Sequence, residues 1–224
     1  MTGADKVYTT DIVFGTETDS LDDSGTVTVV HEMDPTQLTP ERVQDAASKF
    51  VGDIEQVPPM VSAVRIDGRR LHELAREGKV VERKPRPVTV HSYNVAATED
   101  PLVFQAEISC SSGTYIRSLA ADLGTALGGG AHLKNLRRHS VGPFSLEDAQ
   151  PVEDFTVQPV GELVRGMPLI EVDPQMATKV SHGQKLGPSA GSGKFAVADS
   201  AGQLLAVYEA RDGNLCPVKV LSGR

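Results

Sequence analysis

The run Cys110-Ser111-Ser112-Gly113-Thr114-Tyr115-Ile116-Arg117 reads as a tight polar turn that launches an amphipathic helix. It puts an aromatic ring, Tyr115, and a guanidinium, Arg117, in that helix's first turn. A helix N-terminus favours negative charge, so an arginine there works against the dipole and calls for a partner. That partner is a carboxylate or phosphate engaged in chemistry, or the carboxylate of a structural salt bridge; the planar fork of arginine suits either. Ser111 and Ser112 have no G-x-S-x-G elbow around them. Their place just before a helix fits capping of free N–H groups, not nucleophilic catalysis.

The remaining candidate chemistry is electrostatic. The 224-residue chain carries a net charge of −8, which taken as an average argues against a nucleic-acid partner. The charge is unevenly spread. Residues 1–60 hold twelve acids against three Lys and Arg, whereas residues 65–86 hold eight Lys and Arg against four acids. A second basic cluster is Lys134, Arg137 and Arg138, flanked by His132 and His139. Both clusters fit solvated faces; both also fit phosphate-contacting surfaces on an acidic protein, which is compatible with RNA.

Other chemistries are not specified. Gly191-Ser192-Gly193-Lys194 is not a phosphate loop, because Pro188 stands where the first Gly is required and Phe195 where Ser or Thr must follow the Lys. It reads as a flexible turn. Gly128-Gly129-Gly130 follows a helix, whereas the dinucleotide fingerprint follows a strand. The six His are dispersed, and the two cysteines, Cys110 and Cys216, show no ligand spacing. A metal site is therefore not expected, and the cysteines read as reduced thiols of a cytoplasmic protein. Met1-Thr2-Gly3-Ala4-Asp5 lacks the apolar region of a signal peptide, and no apolar run approaches membrane-spanning length.

The elements that must position Arg117 follow from pattern. Val7 to Phe14 reads as a strand, Thr16 to Gly25 as an acidic loop or long hairpin turn, and Thr26 to Val30 as the return strand. Thr39-Pro40-Glu41 starts a helix that should run to about Val51, with Val43, Ala46, Ala47 and Phe50 on one face. Leu71 to Arg76 is a short helix closed by Gly78. Pro87 to Ala97 and Leu102 to Cys110 are strands. Tyr115 to Leu127 is the strongest helix, with Ile116, Leu119, Ala120, Leu123 and Leu127 at helical spacing. A short helix is expected near His132 to Arg138. Residues 151–167 read as a connector with weak helix, and the β-prone runs Phe195 to Ala198, Leu204 to Tyr208 and Val218 to Leu221 as a small separate β unit. The expected class is α+β, with domains 1–150 and 168–224 flanking that connector.

At residues 112–124 the chain resembles a known family. Ser112-Gly113-Thr114-Tyr115-Ile116-Arg117-Ser118-Leu119 with Asp122-Leu123-Gly124 is similar to the arginine motif of TruB-type tRNA pseudouridine synthases. Lys6-Val7-Tyr8 resembles the family's K-x-Y, and Thr18-Asp19-Ser20-Leu21-Asp22 with Gly25 its acidic loop. Gln56-Val57-Pro58-Pro59-Met60-Val61-Ser62-Ala63 resembles its Q-x-P-P segment. Gly68 to Gly78 with Arg86-Pro87-Val88 matches the next block, and Ala131-His132-Leu133 with Leu136-Arg137-Arg138 the one after. The last fifty-odd residues resemble the small PUA-like RNA-binding domain of bacterial members.

The resemblance implies a pseudouridine synthase catalytic domain, a mixed or antiparallel sheet with flanking helices, followed by the PUA-like domain. It implies isomerisation of the T-loop uridine at position 55 of tRNA, with base flipping for access. It implies no cofactor, no metal, no membrane, and a monomer whose partner is the tRNA T-arm. Tyr8 would stack on the flipped base and assist proton removal from C5. Arg117 would pair with the catalytic Asp. Tyr115 and Leu136 would contact the substrate, Leu136 beside the base. Lys134, Arg137 and Arg138, with Arg65, Arg69 and Arg70, would contact tRNA backbone. The family's G-T-L-D-P block, which holds the nucleophilic Asp, lies upstream of K-x-Y, and only five residues precede Lys6. The expectation is therefore an N-terminally truncated catalytic domain, inactive alone, with the nucleophile outside this chain. Asp22 follows a Leu but sits after Tyr8, which argues against that role for it. The alternative is a non-catalytic tRNA-binding remnant.

Overall fold

The computed structural model describes residues 3–66, 68–79, 81–189 and 191–221. The chain forms two compact units, residues 1–149 and 150–224.

In the first unit the elements run β1 (Lys6–Phe14), β2 (Thr16–Thr18), β3 (Val27–Val30), α1 (Pro40–Ser48), β4 (Gly52–Gln56), β5 (Arg65–Ile66), β6 (Arg69–Arg70) and α2 (Leu71–Arg76). They continue with β7 (Arg86–Ala97), β8 (Val103–Cys110), α3 (Ile116–Ala126), β9 (Ala131–Val141) and β10 (Phe144–Ser145). Six strands make one sheet in the order β10-β9-β1-β8-β7-β4, with antiparallel neighbours throughout. Alternate residues Ile12, Phe14, Phe104, Ala106, Ile108 and Cys110 are fully buried on one face. There they meet Val43, Ala46 and Ala47 of α1 and Ile116, Leu119, Ala120 and Leu123 of α3. Phe14 and Phe104 meet edge to face at 5.7 Å, the arrangement favoured by ring quadrupoles.

Helix α1 begins as its residues dictate: Thr39 accepts the Arg42 N–H and Pro40 takes the first position. It ends at Ser48, earlier than expected, because Gly52 adopts φ +102 and turns the chain into β4, where Ile54 and Gln56 face inward and Asp53 and Glu55 face solvent. Gln44 on α1 donates to the Tyr93 carbonyl and accepts the Val95 N–H, which stitches helix to sheet.

The helix expected near His132 to Arg138 is instead most of strand β9. The central strand β1 needs a hydrogen-bonding neighbour on each side, and β9 supplies the second through pairs from Lys6↔Val141 to Phe14↔Ala131. Only Ala131 and Leu133 are buried, at strand spacing, while residues 134–138 are all exposed, so no helical apolar stripe exists. The acidic loop likewise begins in a strand, β2, paired with β3.

The second unit is a five-stranded sheet of β11 (Leu169–Val172), β12 (Leu186–Pro188), β13 (Lys194–Asp199), β14 (Leu204–Arg211) and β15 (Asn214–Val220), in the order β11-β13-β14-β15-β12. Helix α4 (Pro174–Ser181) packs on it, capped by Asp173, which accepts the Met176 N–H at 2.7 Å. Val180, Val197, Ala206 and Tyr208 form its centre, and the Tyr208 hydroxyl donates to the Gln184 carbonyl. Gly193, at φ +92, turns the chain into β13. Residues Val160–Val164 form a short 3-10 turn.

Candidate active site around Arg117 and Asp22

Arg117 projects from the first turn of α3, and its guanidinium is shared among three oxygens. Nη1 donates to the Ser20 carbonyl at 2.9 Å and to Asp22 Oδ2 at 3.1 Å, and Nη2 donates to the Val61 carbonyl at 2.7 Å. The two charged side chains keep 20% and 26% of their surface exposed. The pair is thus shielded enough to hold its geometry and open enough to meet a ligand.

The acidic loop is built to present Asp22. Leu21 sits at φ +63, a left-handed conformation rare outside glycine and costing about 1–3 kcal/mol. The Thr18 and Ser20 hydroxyls donate to the Asp22 carbonyl. Leu21 and Asp23 are stitched to Leu133 of β9 by backbone hydrogen bonds of 3.0 and 2.9 Å. A Cβ on Gly25 would lie 2.9 Å from the Ser20 backbone nitrogen and against the Ser20 and Asp19 side chains, so only glycine closes this loop. Both oxygens of the Asp22 carboxylate are held: Oδ1 accepts from the Ser20 hydroxyl and from the Ser24 hydroxyl and N–H, and Oδ2 accepts from Arg117. Burial alone would raise its pKa. The serine hydrogen bonds and the Arg117 charge outweigh that and hold the carboxyl below the usual aspartate value.

The N-terminus of α3 is held by a residue that capping rules do not anticipate. Neither Ser111 nor Ser112 caps it; the Ser111 hydroxyl accepts the Thr89 N–H instead. Gln56, 2% exposed, accepts the Tyr115 N–H at 2.7 Å and donates to the Tyr115 carbonyl at 3.0 Å. Ser118 donates to the Val57 carbonyl. The first turn of α3 is therefore clamped to the 56–61 segment through Gln56, Ser118 and Arg117 together. A Gln at the end of a strand, 59 residues before its partner, carries no capping signature, and only the fold pairs it with Tyr115.

Asp22, Asp23, Ser24, Arg117, Leu133, Lys134, Asn135 and Leu136 line a pocket of ≈ 600 Å³. Its far wall is a β-bulge in β9, marked by the register shift opposite Thr9–Asp11 and by Asn135 at φ +55. Such a bulge re-aims side chains, and here Leu136, 47% exposed, and Lys134 border the pocket. Asn135 is anchored by donation to Asp11 Oδ2 at 2.7 Å.

Of the residues expected from sequence, the fold brings Arg117, Lys134 and Leu136 to this pocket. Tyr8 and Tyr115 are not among its lining residues. Tyr8 is half-buried on β1, opposite Ile108 and Arg138. Burial raises its phenol above the ordinary value, and a hydrogen bond with Arg138 opposes that shift. Arg137 and Arg138 are exposed on β9. Arg65, Arg69 and Arg70 lie on the short β5–β6 hairpin, where Arg69 pairs with Glu77. Asp22, set aside as a nucleophile on sequence grounds, is the carboxylate that Arg117 holds. Among the described residues no three His, Cys, Asp or Glu side chains converge as metal ligands do. Cys110 and Cys216 are both free.

Comparison with known proteins gives a consistent answer. A family model described as TruB family pseudouridylate synthase (N terminal domain) matches residues 1–116. The tRNA pseudouridylate synthase B C-terminal domain matches residues 117–160, and tRNA Pseudouridine synthase II, C terminal, matches residues 167–222. The chain is 41% identical over 197 residues to a tRNA pseudouridine synthase B of Ralstonia pickettii (strain 12J), covering 82% of this chain and 61% of that protein. It is 37% identical over 230 residues to the tRNA pseudouridine synthase B of Azoarcus sp. (strain BH72), covering 98% and 75%. In fold it is similar to a chain in the crystal structure of a Cbf5-Nop10-Gar1 complex, with TM-score 0.66 and 21% identity over 99% of this chain and 67% of that one.

Proposed function

This chain belongs to the TruB family of pseudouridylate synthases, and from that premise we propose that it acts on the T-loop uridine at position 55 of tRNA. The reaction is an isomerisation. The bond from ribose C1′ to N1 breaks, a bond from C1′ to C5 forms, and the C5 proton is exchanged for one on N1. No external reductant, oxidant or cofactor enters that balance.

The observation that carries the reading is the Arg117–Asp22 pair at the wall of an open pocket bordered by Lys134 and Leu136. A guanidinium already oriented by the Ser20 and Val61 carbonyls is suited to hold a reacting carboxylate ionised without rearranging during the reaction. Asp22 suits the role of orienting partner. Its oxygens are occupied by Ser20, Ser24 and Arg117, which leaves little reactivity for attack on C1′. The nucleophile is then a second carboxylate, the one the family carries in its G-T-L-D-P block. Tyr8 offers a ring for stacking on the extruded base, and the Lys134–Arg138 stretch offers charge for the backbone. We place the second unit in RNA binding as a PUA-like module.

Tritium release from tRNA labelled at uridine C5 tests this, measured beside RNA binding. The chain by itself should bind a T-arm hairpin and release no tritium; supplied upstream of Lys6 with the G-T-L-D-P block, it should release tritium from position 55. Turnover by the chain alone would place the nucleophile within it. Failure to bind RNA in either form would overturn the reading.

A further inference from the structure

Four consecutive residues of β9, Leu133 to Leu136, line the Arg117 pocket. A regular strand cannot do this, because its successive side chains point to opposite faces. The bulge is the cause. Arg137 pairs with Thr9 and Lys134 with Asp11, so Asn135 and Leu136 together oppose Thr10 alone. Strand β1 holds the bulge through two side chains. Thr10, 2% exposed, donates its hydroxyl to the Lys134 carbonyl at 2.9 Å. Asp11 accepts the Asn135 side-chain amide on Oδ2 at 2.7 Å. Asn135 itself stands at φ +55, a conformation that asparagine tolerates better than most residues. On the near side of the bulge, Leu133 is bonded to Leu21 and Asp23, in the loop that carries Asp22. Leu136, on the far side, is 47% exposed and is not part of the buried core. The bulge, not core packing, sets its place.

We infer that Asn135 and Asp11 are positioning residues for the reaction: together they form a clamp that fixes Leu136 against the substrate. Asp11 is the post, on the central strand β1, and Asn135 is the arm. Asp11 acts through Asn135, and Asn135 through Leu136. Leu133 is tied to the Asp22 loop and Asn135 to β1. The clamp therefore sets the span from the Arg117–Asp22 pair to Leu136, the two walls between which the reacting nucleoside must sit. A displacement of about 1 Å at such a wall can cost about a hundredfold in rate. The clamp needs a donor facing an acceptor. An amide against a carboxylate attracts, whereas two carboxylates in the same place repel. The inference rests on the reading that Leu136 meets the extruded base.

The test measures kcat by tritium release, T-arm hairpin binding and thermal midpoint for three variants of the protein carrying the upstream G-T-L-D-P block. They are Asn135→Asp, Asn135→Asp combined with Asp11→Asn, and Leu136→Ala. Asn135→Asp keeps a side chain that tolerates the left-handed backbone but sets two carboxylates against each other. It should lower kcat about tenfold, with the dissociation constant of the hairpin changed less than about threefold. The combined variant turns the bond around, with the donor on β1 and the acceptor on β9, at unchanged net charge. It should recover kcat to within about threefold of the unsubstituted protein. Leu136→Ala should lower kcat at least as far as Asn135→Asp. A loss that the combined variant does not recover would overturn the clamp. So would a lowered thermal midpoint with kcat of the folded protein unchanged, which is the mark of a merely structural bond. Turnover that survives Leu136→Ala but not Asn135→Asp would overturn the action through Leu136. No turnover by the unsubstituted protein, with hairpin binding intact, would overturn the reaction and the clamp with it, whereas full turnover by Asn135→Asp would overturn the clamp alone. Should Asn135→Asp fail to fold, Asn135→Gly, free at φ +55 but without the amide, should show the same loss of kcat, and an unchanged kcat there would overturn the clamp.

Discussion

Arg117 and Arg83 grip the same short segment, one by the Val61 carbonyl and the other by the Pro58 carbonyl, yet their charges are handled in opposite ways. Arg117 meets a carboxylate whose every oxygen is occupied. Arg83 lines a pocket together with Arg65, Lys84 and Arg86 and keeps one N–H without a partner. A matched charge at a half-buried position is preorganised: the ion pair, the serine hydrogen bonds and the strained Leu21 already hold the geometry in which it works. An unmatched charge keeps a donor that the protein itself does not use. The first arrangement suits chemistry on a ligand, and the second suits holding one.

The comparison breaks most readily at Asp22. Asp22→Ala leaves a half-buried guanidinium without its carboxylate. It should cost about 2–3 kcal/mol in urea unfolding, below the 3–5 kcal/mol of fully buried pairs because both partners keep about a quarter of their surface. A cost near zero would mean that solvent screens the pair and that it organises nothing. The same residue gives a pH signature. Its folded carboxyl lies below the ordinary value of 3.8, so the unfolded state takes up the proton first as pH falls. The stabilisation is therefore complete above about pH 4 and is lost as pH drops through the folded value. Thermal midpoints of the unsubstituted chain and Asp22→Asn should differ near neutrality and converge in acid; a gap that widens in acid would reverse the assignment.

A smaller loss is expected at Gln56. Gln56→Ala removes both partners of the Tyr115 backbone and should cost about 1–2 kcal/mol. It should also loosen the first turn of α3, which hydrogen exchange at residues 115–118 would read. The smallest effect belongs to the unmatched side. Arg83→Gln removes one of four crowded charges and should shift stability in the absence of RNA by less than about 1 kcal/mol. A loss as large as that of Asp22→Ala would erase the contrast between the two arginines.

Much of this was legible in the sequence, for physical reasons that differ by element. Helix α1 announced itself through Thr39 and Pro40, and α3 through Ile116, Leu119 and Leu123, because local capping and a 3.6-residue period need no knowledge of the rest. Strand β9 was misread as helix. Its charged stretch from Lys134 to Arg138 has no strong period, and its state is decided by the unmet hydrogen bonds of β1. Helix α4 and strand β4 were not read from the sequence, although Asp173-Pro174 offers α4 the same cap-and-proline start that marks α1. At the site, Arg117 was singled out by its unfavourable place at a helix N-terminus. Its partners were not, since Asp22 and Val61 lie 95 and 56 residues away and only the fold brings them together. Gln56 escaped for the same reason: its side chain replaces a cap that Ser111 and Ser112 appeared positioned to provide.

The central claim is that Arg117 serves the reacting carboxylate and not the grip on RNA. The most direct measurement compares tritium release and T-arm binding for Arg117→Ala and the unsubstituted protein, both carrying the upstream G-T-L-D-P block. The account predicts a loss of turnover of about a hundredfold or more, with the dissociation constant for the hairpin changed only a few-fold. Equal losses in turnover and binding would contradict it and make Arg117 an RNA-contacting residue.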